Sequence, residues 1–390
     1  SLGQRAEQLY RGELASLERQ PQALRVISEE YHRGWFQSRA SIQLSPASGD
    51  LAEDLRVQID SLISHGPRAL SDLGWPPALA RVASTVTLEH PDLQLDAVQA
   101  DTRIGWQGQG LTRIVLPAVD RPASADGPGV RTLPGEGEVR FRPGGALSAR
   151  VNLPSLEVLD QDGAVLLTVR DLRAANDSAP WLAGLRITSG DFAVGHLLAE
   201  YPGGRVEARD LRLSVQSRPE GGLLDLHLSY AAGVLRVDGA DYAPSQAQFS
   251  VTRLDGATLV TLQQDMEVLA GRGLPEPMAG IAAVAVMLKH LPALAAADPS
   301  VAIDRLDIAT PSGPVTGRVA LGVQGLTADD LDAGKGAWMR RLVGDGELSL
   351  PRTVALALLD LMERQEQVPG DDTPERAEAR AAAAARQIDD

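Results

Sequence analysis

The sequence predicts an α+β fold in which long antiparallel strands form a curved sheet, helices pack on its concave face, and helical segments stand at both chain ends. Three observations lead there. Residues 139–231 alternate apolar and polar side chains, with turns at Asp162-Gly163, Gly203-Gly204 and Gly221-Gly222. From Leu254 the apolar period becomes helical, through Leu259, Leu262, Met266 and Leu269. Leu9, Leu14, Leu17, Leu24 and Ile27 are spaced helically among Glu, Gln and Arg.

Taken in order, residues 1–30 read as a helical lead-in, with Pro21 suited to the first turn of a second helix. Residues 31–255 read as a β-rich body. Its first strand sets Ala40, Ile42 and Leu44 against Arg39, Ser41 and Gln43. Gly49-Asp50 marks a turn, Leu51 to Ile63 fits strand or helix, and His65-Gly66-Pro67 ends that segment. Between Arg81 and Val158 the chain is strand-like but punctuated, and Pro117 to Gly137 has the composition of an exposed loop. Val165, Leu167 and Val169 alternate; so do Val206, Ala208, Leu211, Leu213 and Val215, with one slip. Arg170-Asp171-Leu172-Arg173 recurs as Arg209-Asp210-Leu211-Arg212, which reads as two strand ends with solvated ion pairs. Residues 256–299 form a helix pair broken at Gly271 to Pro277, and the second helix, Met278 to Leu294 at most, is apolar on most sides and should be enclosed. Residues 300–326 make a hairpin that completes the sheet, and residues 327–390 hold helices over Ala328 to Val343, over Pro351 to Gln367 and from Thr373-Pro374-Glu375.

Charge and composition exclude several classes. With 37 basic and 52 acidic residues the net charge is −15, which repels phosphate backbones, so nucleic acid is not an expected partner. The absence of cysteine removes disulfides, thiolate metal sites and cysteine nucleophiles. The most apolar run, Gly280 to Leu288, is interrupted by Lys289-His290, well short of the roughly 20 residues a spanning helix needs. Ser1-Leu2-Gly3-Gln4 opens into a polar amphipathic stretch unlike a signal peptide.

No catalytic, cofactor-binding or metal-binding constellation is expected. The histidines, His32, His65, His90, His196, His227 and His290, are scattered, with no pair at helical metal-ligand spacing. Asp160-Gln161-Asp162-Gly163 lacks the further carboxylates of a calcium loop and reads as a β-turn. Gly105-Trp106-Gln107-Gly108-Gln109-Gly110 has its glycines in the wrong order for a dinucleotide site. Trp35-Phe36 is expected to pack in the core.

Tyr31-His32-Arg33-Gly34-Trp35-Phe36-Gln37-Ser38, followed by His65-Gly66-Pro67, resembles the N-terminal signature of the YdgA family of bacterial envelope proteins. Leu254-Asp255-Gly256-Ala257 and the segment from Leu306 to Gly313 resemble that family's later helix start and hairpin. The resemblance implies a periplasmic body, an inner-membrane anchor preceding Ser1 and further β structure after the final helix. It assigns Tyr31, Arg33, Gly34, Trp35, Phe36, Ser38, His65, Gly66 and Pro67 to the family motif, and we read their role as structural. A greasy groove between sheet and helices would suit a non-catalytic protein binding a hydrophobic or lipid-like ligand, or supporting envelope assembly. The alternative is a scaffold that self-associates or binds another envelope protein.

Overall fold

The computed structural model describes residues 4, 7–8, 11, 24–46, 55–65, 78–90, 93–94, 96–124, 127–272, 276–326, 330 and 339–356. The motif residues Gly66 and Pro67, the turn at Gly49-Asp50 and the last expected helix lie outside them. The chain divides into two compact units, Ser1–Pro202 and Gly203–Asp390.

The first unit is an antiparallel sheet. Its strands are β1 (Leu24–His32), β2 (Gln37–Pro46), β3 (Arg56–His65), β4 (Ala80–His90), β5 (Leu93–Gln94), β6 (Val98–Ile104), β7 (Gly110–Leu116), β8 (Val119–Arg121), β9 (Gly129–Thr132), β10 (Gly135–Phe141), β11 (Leu147–Leu159), β12 (Val165–Pro180) and β13 (Arg186–Tyr201). Neighbours run β1-β2-β3-β4-β6-β7-β10-β11-β12-β13, with β5 turned back on β4 and the β8-β9 ribbon joined to the far end of β11. The stretch expected as a loop from Pro117 therefore carries β8 and β9. The Asp160 turn is as expected: its carboxylate accepts from the Asp162 and Ala164 amides.

The second unit contains β14 (Gly204–Glu220), β15 (Leu223–Ala232), β16 (Val234–Val237), β17 (Ala240–Asp241), β18 (Ser245–Asp255), helices α1 (Gly256–Ala270) and α2 (Glu276–Ala295), then β19 (Ser300–Thr310), β20 (Gly313–Val323) and β21 (Leu342–Ser349). Its neighbours run β14-β15-β18-β19-β20-β21, with β16 continuing the line of β15 along β14 and β17 folded against β16.

The α+β expectation is overturned: the described structure is mostly antiparallel sheet, and no helix pair fills a concave face. Three physical reasons account for the difference. β1 is a strand, because the three-residue spacing of Leu24 and Ile27 that looked helical spans a register irregularity between Val26 and Ser28. Leu342 to Ser349 is also a strand, whose alternation was hidden because Gly344 and Gly346 occupy two of its apolar-face positions. Finally, β18 and β19 are adjacent antiparallel neighbours, so α1 and α2 form the connection at one end of that pair. They pack chiefly on each other, and β18 is the strand they touch most. Asp255 caps α1, its Oδ1 accepting from the Thr258 amide at 2.8 Å and from the Thr258 hydroxyl at 2.6 Å.

The Arg-Asp-Leu-Arg repeat falls inside strands, not at their ends. Asp171 in β12 and Asp210 in β14 both have φ of 53°, in the left-handed region. At these points the apolar alternation slips, from Val169 to Leu172 and from Ala208 to Leu211. The copies extend further, since Ser178 and Pro180 recur as Ser217 and Pro219. Each aspartate also faces a glycine on the next strand, Gly195 or Gly233, in line with the flanking register. A Cβ on Gly195 would lie 2.9 Å from Asp171 Cβ, whereas one on Gly233 would lie 3.2 Å from Asp210 Oδ2. Gly195→Ala is therefore expected to destabilise by about 1–3 kcal/mol and Gly233→Ala by less, because the added Cβ would stand 3.3 Å from the aspartate Cβ there rather than 2.9 Å. Urea unfolding of both variants checks this, and a Gly195→Ala protein as stable as its parent would contradict it.

Candidate functional site

The two halves of the N-terminal motif meet. Ser38 is the second residue of β2 and His65 ends β3; Ser38 Oγ and His65 Nε2 are 3.1 Å apart in a hydrogen bond whose direction depends on the imidazole tautomer. Each residue is 1% exposed, and the His65 amide donates to the Phe36 carbonyl at 2.9 Å. Burial pushes the His65 imidazole below its ordinary value near 6.5, because the charged form loses its water. So enclosed, the pair meets no substrate without the sheet opening. Gly34 turns the chain between β1 and β2, where a Cβ would stand 2.1 Å from the Gln37 carbonyl oxygen. Arg33 donates to Glu7 at 3.2 Å, an exposed pair of small energetic value. The Tyr31 hydroxyl is buried. Trp35 and Phe36, expected in the core, are instead 92% and 52% exposed.

A larger feature emerges from the strand registers. In the first unit one cross-strand row begins with Ala40, Ser61, Ser84 and Ala100 on β2, β3, β4 and β6. It continues through Ile114, Gly137, Val151, Ala174 and Phe192 on β7, β10, β11, β12 and β13. The row has no charged member. Its serines hydrogen-bond to each other, Ser61 Oγ to Ser84 Oγ at 2.8 Å, and in the next row of the same face Thr102 and Thr112 do likewise at 2.8 Å. The opposite face carries charge, with Asp101, Arg113, Glu138 and Arg150 alternating in sign across β6, β7, β10 and β11.

The second unit repeats the arrangement. Val215, Leu228, Phe249, Ile303, Val319 and Gly346 form one row from β14 to β21, while the neighbouring row on the other face includes Gln216, His227, Ser250 and Asp345. Both units thus present a sheet with one apolar and one polar face. The apolar faces are incompletely covered: Leu147, Val151 and Phe192 in the first unit, and Leu213, Phe249, Val301, Leu321 and Leu348 in the second, are exposed. Full burial of one such side chain is worth about 1.5–3 kcal/mol, so an open face is a standing drive toward an apolar occupant.

Helix α2 carries the same character. Its polar side chains serve α1: Lys289 Nζ donates to Asp265 Oδ2 at 2.7 Å, and His290 Nε2 lies 2.8 Å from the same oxygen. The Lys289 hydrogen bond first, then that of His290, hold the Asp265 carboxyl below the usual range. Met278, Ile281, Val284, Met287, Leu288 and Leu291 cover roughly half the helix circumference and are 47–73% exposed. The sequence expectation that this helix is enclosed therefore fails. By length and composition alone, Met278–Ala295 suffices to cross a membrane. Among the described residues no three His, Asp or Glu side chains are grouped as metal ligands.

The family model described as "Bacterial protein of unknown function (DUF945)" matches residues 1–389. The chain belongs to this family. No curated protein and no solved structure matches it. For this DUF945 chain, the feature sequence reading missed is the continuity of the apolar rows. The signal was present in the alternation of Val82, Val86 and Leu88, or of Val301 and Ile303, but only the registers align those positions across strands.

Proposed function

We propose that this DUF945 chain is a YdgA-type envelope protein, anchored at the inner membrane with its body in the periplasm, that holds lipid acyl chains against its apolar sheet faces without catalysis. The observation that carries the reading is the uncharged row from Ala40 to Phe192 and its counterpart from Val215 to Gly346. A hydrocarbon chain asks for no hydrogen bonds, and hydroxyls paired with each other, as at Ser61 and Ser84, offer it a quiet surface. The exposed arc of α2 and the exposed Trp35 supply further apolar surface of the kind that meets a bilayer. The motif residues act by fixing the fold, Gly34 through its turn and Ser38 with His65 through their bond.

Self-association by strand addition at β21 is the weaker alternative. Among the described residues β21 pairs with β20 alone, but Asp345 and Glu347 place charge on that edge. Native mass spectrometry of the chain extracted gently from membranes is the test. Co-purifying phospholipid, displaced by excess fatty acid, is the expected result; a lipid-free stable oligomer would sink the proposal.

A further inference from the structure

We infer that a cleft on the polar face of the first unit, between the β10-β11 and β12-β13 hairpins, binds a phosphomonoester group. The cleft has a volume of about 340 Å³, and Arg140, Arg142 and Arg150 line it together with Ser148, Ser189 and Asp177. The registers explain the convergence. Arg140 faces Ser148, Ser148 faces Asp177 and Asp177 faces Ser189, so hydroxyls and one carboxylate floor the cleft. Arg150 stands diagonally from Arg140, at the ~7–8 Å typical of such positions, and Arg142 lies two residues beyond Arg140 where the hairpin turns. Arg186 steadies that turn, donating to the Gly145 carbonyl at 2.7 Å and to Ser178 Oγ at 2.9 Å.

Arg140 is engaged by Glu138 at 2.7 Å. Arg142 and Arg150 are exposed and make no ion pair among the described residues. Arg142 lies toward the turn from the Arg140–Ser148 pair and Arg150 lies along β11 on its other side, so an anion seated over that pair meets positive charge from both directions. Three guanidinium groups against Asp177 and the Glu138 that pairs with Arg140 leave the cluster at +1, which still attracts a phosphate of about −1.5 to −2 at neutral pH. Guanidinium forks match phosphate oxygens bidentately, and the serine hydroxyls add donors. In a chain of net charge −15 a long polyphosphate backbone is repelled, whereas a compact phosphomonoester within a Debye length answers to the local cluster. The site lies on the opposite face from the apolar rows and stands independently of acyl-chain binding.

The group can come from a soluble metabolite or from a lipid headgroup, and the test separates them. The full chain is titrated calorimetrically with inorganic phosphate and with glycerol 3-phosphate at low ionic strength, then sedimented with phosphatidylcholine vesicles containing or lacking phosphatidic acid. Saturable binding in at least one arm is expected. Arg142→Gln/Arg150→Gln should weaken it by roughly tenfold or more, and Arg113→Gln, on the same face outside the cleft, should leave it unchanged. Binding of the soluble phosphates points to a metabolite, and binding only to phosphatidic acid vesicles points to a headgroup. No saturable binding in either arm, an undiminished double variant, or an equal loss in Arg113→Gln would overturn the inference. Circular dichroism confirms that each variant is folded.

Discussion

Replacing His65 by alanine is expected to lower stability by about 2–4 kcal/mol, through a cavity at a 1% exposed position and a Ser38 hydroxyl left without its partner. Ser38→Ala should cost less, and the double variant less than the sum, because the two residues share one interaction. The pH dependence separates this link from ordinary packing. Burial depresses the folded imidazole below its ordinary value near 6.5, so below that pH the unfolded chain binds the proton more readily than the folded one. The stabilising contribution of the neutral ring is complete above about pH 6.5 and declines as pH falls toward the folded value. Urea midpoints of the parent should drop from pH 7.5 to 5.5, with a smaller drop in His65→Gln. Parallel pH profiles in the two proteins would show that His65 does not carry the effect.

Much of the sheet was legible in the sequence because period-2 alternation is local, as at Ala40, Ile42 and Leu44 or Leu224, Leu226 and Leu228. The hairpin at Thr310 to Gly313 was legible because its turn residues are a local signal too. What escaped depends on pairing. Glycines at 344 and 346 hide the period of β21, and a register irregularity gives β1 helical spacing. The fate of α2 was misread because an apolar helix implies enclosure only if something encloses it, and its place between adjacent strands sets it at the end of the pair. Ser38 and His65, 27 residues apart, could be joined only through the β2-β3 register.

A single carboxylate placed on an apolar face should remove acyl-chain binding without unfolding the sheet, and this is the sharpest test of what the faces are for. Phe192 in the first unit and Phe249 in the second are 41% and 37% exposed, so Phe192→Asp and Phe249→Asp leave a charge that water can still reach in the ligand-free protein. Once an acyl chain covers the position, that carboxylate must be desolvated with no partner, because Phe192 faces Ala174 and Phe249 faces Leu228 and Ile303. A loss of affinity of about a hundredfold or more for a fluorescent fatty acid is the expected size. Gln216→Glu, in the row on the opposite face beside His227, adds the same charge where water stays and should change little. If only one of the two phenylalanine variants loses binding, the occupied face belongs to that unit; if both retain full affinity, hydrocarbon does not lie on these rows. The comparison turns on geometry alone, since the three variants add the same charge and differ only in which side of a sheet receives it.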